Sequence, residues 1–275
     1  MQVKSLKNSV SISSQPLVEI PPPSKAPQVF AALLVTSASI LCVACGIFLG
    51  FFGLAICLAV IACLVLVSRY LGSSKRFLVQ MSAMKINDKI EPRIFGMLEN
   101  LCLTAGVQMP EVYIIEDDIC VNTLTLKLDG KRSAIVITTG VLLALERIEL
   151  EAILATQVAM LRRKQDKTVS FMMKSFSLVI LFSPSLMPFF IKLTDKNRAA
   201  LCDQTAVLLT RYPPGLYRAF EKTNSLVTIP KVLDNHFKDL SAPFWFIPLI
   251  EAKLNHADFI GILSVTDRMQ MLTEM

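Results

Sequence analysis

Hydrophobic and polar positions divide this chain into a polar head, an unbroken apolar stretch and a long patterned body. Residues 1–28 are polar and rich in Ser and Pro, with Pro21, Pro22, Pro23 and Pro27 close together. Such a composition buries too little apolar surface to fold, so a disordered tail is expected. From Val29 to Val67 no charged residue occurs. That is about twice the roughly 20 residues one helical crossing of a bilayer requires. The stretch predicts a transmembrane hairpin over residues 29–68, with helices from Val29 to Leu49 and from Gly53 to Val67 turning at Gly50 to Gly53.

In the body, Ile94, Met97, Leu98 and Leu101 recur at helical spacing within Pro92 to Ala105, and Gly106 is placed to end that helix. Glu111 to Ile115 and Ala134 to Thr138 read as short strands, with Asn122 to Leu128 as a third and Asp129-Gly130 as a hairpin turn. Leu142, Leu145, Leu150, Ile153, Leu154, Val158 and Leu161 then mark one or two buried helices between Val141 and Arg163. Ser175 to Ile191 is uncharged and carries Pro184 and Pro188, long enough for one thin span or a dip into the membrane and back but too short for two full spans, and the dip is the favoured reading. Helices are predicted over Asn197 to Thr210, from Pro213 towards Lys222, and near Thr266 to Thr273. The fold class is therefore α+β, a mostly α-helical membrane protein. An N-terminal hairpin is joined to a helical domain with a small sheet over residues 75–275, and 175–191 is membrane-associated.

Composition reinforces the membrane reading, since 53% of residues are hydrophobic and the mean hydropathy is +0.55. The net charge of +6 does not point to nucleic acid, because the basic residues are neither gathered in one arm nor interleaved with aromatics. Lys4, Lys7 and Lys25 precede the apolar stretch and Arg69, Lys75 and Arg76 follow it, which makes both flanks, and hence the N-terminus and main domain, cytoplasmic. The lipid bilayer is thus an expected partner, and the basic run Arg162, Arg163 and Lys164 is either a solvated helix end or a contact with anionic headgroups. Of the seven cysteines, Cys42, Cys45, Cys57 and Cys63 fall in the apolar stretch, where a thiol is inert. Cys102, Cys120 and Cys202 show no ligand spacing and suit a reducing compartment.

Three segments carry a family resemblance: LCLTAGVQMPEVYIIEDD from Leu101, AIVITTGVLLALERIELEAILA from Ala134, and NRAALCDQTAVLLTRYPPGLYRAFEKT from Asn197. In this order they resemble the HtpX-like membrane zinc metallopeptidases, relatives of the prenyl-protein endopeptidases. SVTDRMQML from Ser264 is a weaker echo of the family's last helix. The resemblance implies a metallopeptidase-like domain, an integral protein of a bacterial-type inner or plasma membrane, and a zinc cofactor. The family's zinc motif HExxH follows the Glu-Leu-Glu-Ala-Ile-Leu-Ala segment, because residues four apart share a helix face and can hold one metal while the glutamate activates water.

Here that window reads Thr156, Gln157, Val158, Ala159, Met160. Thr156 and Met160 stand at the histidine positions and Gln157 at the glutamate. The family's third ligand follows an arginine on a later helix, and after Arg198 this chain has Ala199, with the expected neighbour Asp203 retained. A hydroxyl and a thioether are poor zinc ligands, and an amide cannot act as a base. Zinc is therefore expected in the family and predicted absent here, with no catalytic residue assigned. His236 and His256, the two histidines, offer no paired helical spacing. In the family the strand matching Asn122, Thr123, Leu124 and Thr125 borders the active cleft, so this edge is a candidate for binding an extended peptide by strand addition. The expectation is a pseudopeptidase that binds a protein or peptide partner, such as an active paralogue, in membrane protein quality control. Two alternatives stand beside it: an endopeptidase with an unorthodox site using Asp203, Cys202 or Thr156, and a structural subunit of a membrane complex.

Overall fold

The computed structural model describes residues 73–128, 132–182, 197–226, 228–231, 241–249 and 263–274, together with scattered positions between 36 and 66. Among these residues no helix is long and apolar enough to cross a membrane. The described positions from Thr36 to Leu66 are all helical. Most of the expected hairpin, the tail, the Asp129-Gly130 turn, both histidines and residues 183–191 lie outside the described residues.

The body is α+β. In chain order it comprises α1 (Ser74–Gln80), β1 (Met84–Ile86), α2 (Pro92–Ala105), β2 (Glu111–Ile115), β3 (Thr123–Lys127), β4 (Ser133–Thr138), α3 (Thr139–Ala144), α4 (Arg147–Arg162), α5 (Gln165–Phe182), α6 (Arg198–Thr210), α7 (Pro213–Asn224) and α8 (Val265–Thr273). Helix α2 starts with a proline in its first turn, where the missing N–H costs nothing. It stops at Gly106, which at φ 66° takes the left-handed conformation that lets Val107 N–H reach back to the Cys102 carbonyl at 3.0 Å. The predicted Val141 to Arg163 region is two helices, because the chain extends at Leu145 and Glu146 and a capping box between Glu146 and Glu149 restarts it.

The sheet order is β1-β2-β4-β3, with β2 and β4 parallel and the two outer pairs antiparallel. Both faces are covered. Val112, Ile114, Ile135 and Ile137 pack with the apolar sides of α2, α4, α7 and α8. Ile115, Leu124, Leu126, Ala134 and Val136 pack on the other face with Phe77 and Leu78 of α1, with Val169, Met172 and Met173 of α5, and with Phe244, Trp245 and Leu249. A two-sided sheet explains why β4 reads as the continuous apolar run Ala-Ile-Val-Ile. Helix α4 is buried almost all round from Ala152 to Leu161, as a central helix must be, and packs most extensively against α6.

Candidate functional site

Thr156, Gln157 and Met160 lie on α4, and Ala199 and Asp203 on α6, two helices that pack together, with α4 also against β3. Thr156 is fully buried and turns its hydroxyl back onto the Ala152 carbonyl of its own helix at 3.2 Å. Gln157, also fully buried, faces the sheet, where the Thr125 hydroxyl donates to its Oε1 at 2.6 Å. Its Nε2 and the Thr123 hydroxyl are buried with no hydrogen-bond partner among the described residues. Met160 lies against Ala159 and against Cys202 of α6 in a small apolar cluster. Ala199, half-buried, has no donor atom to offer. Zinc takes thiolate, imidazole or carboxylate groups, and this donor set does not fit it. Among the described residues no group of three His, Cys, Asp or Glu side chains is placed to hold a metal ion.

Charge at this centre is dominated by arginine. Asp203 is buried and held in a bidentate pair by Arg268 of α8, with Nε to Oδ2 at 2.7 Å and Nη2 to Oδ1 at 2.9 Å. Burial pushes the Asp203 carboxyl upward from its ordinary range, and the Arg268 guanidinium works against that shift. Arg268 also donates to the Phe246 carbonyl at 2.7 Å and lies over the rings of Phe220 at 4.5 Å and Phe246 at 5.2 Å. Arg198 donates to the Pro243 carbonyl at 2.9 Å, with its guanidinium over Phe244. Arg163, one turn beyond Met160, is 7% exposed, and its Nε is buried without a partner among the described residues. Burial pushes the Cys202 thiol up to about 12, against the opposing pull of the Arg198 and Arg163 guanidiniums. A thiol so placed stays protonated at neutral pH and is no nucleophile.

The candidate peptide edge needs correction. β3 is an edge strand as expected, but Asn122 to Thr125 are at most 1% exposed, with residues 241–249 along the strand's open edge and Gln157 of α4 against Thr125. Leu124 and Trp245 form an antiparallel bridge, and Phe246 N–H donates to the Thr123 carbonyl at 2.8 Å. The Asn122 amide holds this strap through both of its polar atoms. Nδ2 donates to the Ile247 and Thr228 carbonyls at 2.8 and 2.9 Å, and Oδ1 accepts from Ile247 N–H at 3.0 Å and Thr123 N–H at 2.9 Å. At the far end Ser170 of α5 takes both outward groups of Lys127, accepting from its N–H at 2.8 Å and donating to its carbonyl at 3.0 Å. An extended peptide finds this edge already paired. Sequence reasoning placed Asn122 on the strand but missed its clamp and the partnership of Asp203 with Arg268. The only hints were the lone Trp245 and the Arg268 of the weak C-terminal echo.

Comparison with known proteins gives consistent relatives. Over 186 residues the chain is 30% identical to a protein named "Protease HtpX homolog" from Tropheryma whipplei (strain Twist), covering 56% of this chain and 64% of that protein. A protein of the same name from Dictyoglomus thermophilum is 24% identical over 62% of this chain and 70% of its own length. One from Ligilactobacillus salivarius is 27% identical over 64% and 72%. The match thus spans about two thirds of the length of these relatives. No family model matches the chain. No solved structure matches it.

Proposed function

The chain is a relative of the HtpX-like proteases, and from that premise we propose that it is a membrane-anchored pseudopeptidase, a binding or regulatory scaffold that does not cut. The observation that carries this reading is the Thr125–Gln157 hydrogen bond at 2.6 Å. A peptidase must leave room between its cleft strand and its base for a substrate carbonyl and a water. In this chain strand and helix touch there, through an amide that cannot take a proton. Thr156 and Met160, buried and turned to packing, support the same reading.

The unorthodox-enzyme alternative is disfavoured on the same ground. The Cys202 thiol is pushed up to about 12, Asp203 is locked to Arg268, and the Thr156 hydroxyl is spent within its helix. Membrane anchoring is part of the proposal. It is supported by the charge-free run Val29 to Val67 and by Ile40, Ile56, Leu58, Val60, Val65 and Leu66, each at least half exposed on helical backbone. A protein partner, an active paralogue among the candidates, would dock on a surface other than the covered β3 edge.

The test is zinc content by elemental analysis, with peptidase assays, on the detergent-solubilised full chain beside an HtpX homologue that retains its HExxH motif. The proposal expects no stoichiometric zinc and no cleavage. Stoichiometric zinc with cleavage of a substrate that the control also cuts sinks it.

A further inference from the structure

Away from the α4–α6 contact, a groove of about 530 Å³ opens between the ends of α2 and α4, the start of α5, the end of β3 and the start of β4. That volume suits a small-molecule ligand. Its charged lining is Lys127, Arg132, Arg162, Lys164 and Lys167 against Glu111 and Asp166. Both acids are engaged. Arg132 lies 2.6 Å and Lys85 3.2 Å from Glu111, while Asp166 accepts from the Ser133 hydroxyl at 2.7 Å and sits 3.7 Å from Lys127. Arg162, Lys164 and Lys167 make no ion pair among the described residues.

Basic residues at a helix C-terminus ordinarily offset its dipole, so the magnitudes decide. Each helix end carries about half a charge. The ends of α2 and α4 and the start of α5 together amount to roughly −0.5, against three cations that have no ion pair among the described residues. Lys164, in the tight link between α4 and α5, also holds a left-handed conformation at φ 56°. Glycine or asparagine would adopt it with less strain, so a lysine there places a cation at the groove at a conformational cost.

We propose that this groove binds a small phosphate-bearing ligand through Arg162, Lys164 and Lys167. A phosphate monoester carries about −1.5 to −2 charge and three strong acceptor oxygens at neutral pH. That matches both the sign and the number of these cations. A phospholipid headgroup offers the same chemistry. The site stands apart from the α4–α6 centre, and its existence does not depend on whether that centre cuts peptides.

Pyrophosphate is the probe, titrated calorimetrically into the full chain in detergent. Saturable binding that weakens with added salt is expected. Lys164→Gly removes a cation and relieves backbone strain, so it keeps the fold. With Lys167→Gln it should weaken binding at least about tenfold, roughly the worth of one charged hydrogen bond. Lys89→Gln, exposed and outside the groove, should bind like the natural chain. In nanodiscs, pyrophosphate binding that persists with phosphatidylglycerol assigns a soluble ligand. Loss there, but not with phosphatidylcholine alone, assigns the groove to a lipid headgroup. Absence of saturable binding, or undiminished binding by the Lys164→Gly/Lys167→Gln variant, overturns the proposal.

Discussion

Gln157 is fully buried and hydrogen-bonded to one threonine, and its environment determines what an acidic residue would do there. A glutamate side chain at this position would be a buried carboxyl facing a single hydroxyl donor among the described residues. Burial raises such a group's pKa by penalising the charged form. Gln157→Glu should therefore cost ~2 kcal/mol of stability at pH 7.5 and confer no peptidase activity. With a folded-state pKa above the unfolded one, the penalty applies to the ionised form and should shrink as pH falls through that folded value. Urea unfolding at pH 7.5 and pH 5.5 checks this, and an equal penalty at both pH values would contradict it. Asp203 presents the opposite case, a buried carboxylate whose partner is in place. Arg268→Ala strips the guanidinium from Asp203 and from the Phe246 carbonyl together, and breaking a buried pair this way should cost ~3–5 kcal/mol. Arg268→Lys should recover only part of that loss, because an ammonium cannot make the two-pronged contact.

At the level of elements, the decisive piece is the strap over β3, and Asn122 is the residue on which it hangs. Asn122→Ala leaves the Ile247 and Thr228 carbonyls and the Ile247 N–H buried and unpaired, a loss of ~3 kcal/mol. Hydrogen exchange should rise across residues 241–249 before it rises in β4, and uniform exchange through both would show the strap is not a separate unit. The regular elements were legible in the sequence because they carry their own periodicity: α2 from Ile94 to Leu101, β2 and β4 from their apolar runs, α8 near Thr266. That Thr156, Gln157 and Met160 share one buried helix was legible for the same reason, since helical register fixes them. The strap was not, because it holds two prolines, has no period, and its partner lies 125 residues earlier. β1 was missed as well, being three residues long, too short for alternation to show. The start of α5 was missed because its polar first turns hide a helix that runs on into the apolar segment.

For the molecule as a whole, these contacts show side chains joining the central helices. In a zinc peptidase of this plan the metal ties the HExxH helix to the third-ligand helix, and a ligand present at 1,000 times its Kd adds ~4 kcal/mol to the native state. In this chain α4 meets α6 through Met160 and Cys202, and α6 meets α8 through Asp203 and Arg268. The strap joins the same assembly by way of the Phe246 and Pro243 carbonyls that Arg268 and Arg198 hold. Every one of these ties is a side-chain contact that a chelator cannot reach. Adding EDTA, or excess zinc, should then leave the thermal midpoint of the full chain in detergent within about 1 °C of its starting value. An HtpX homologue with its motif intact should lose roughly 10 °C on chelation, the shift that ~4 kcal/mol produces in a chain of this size. A comparable drop in this chain would mean that a metal contributes to its stability through residues other than Thr156, Met160 and Ala199. The three-arginine centre would then have to be reinterpreted as the surroundings of that metal rather than its replacement.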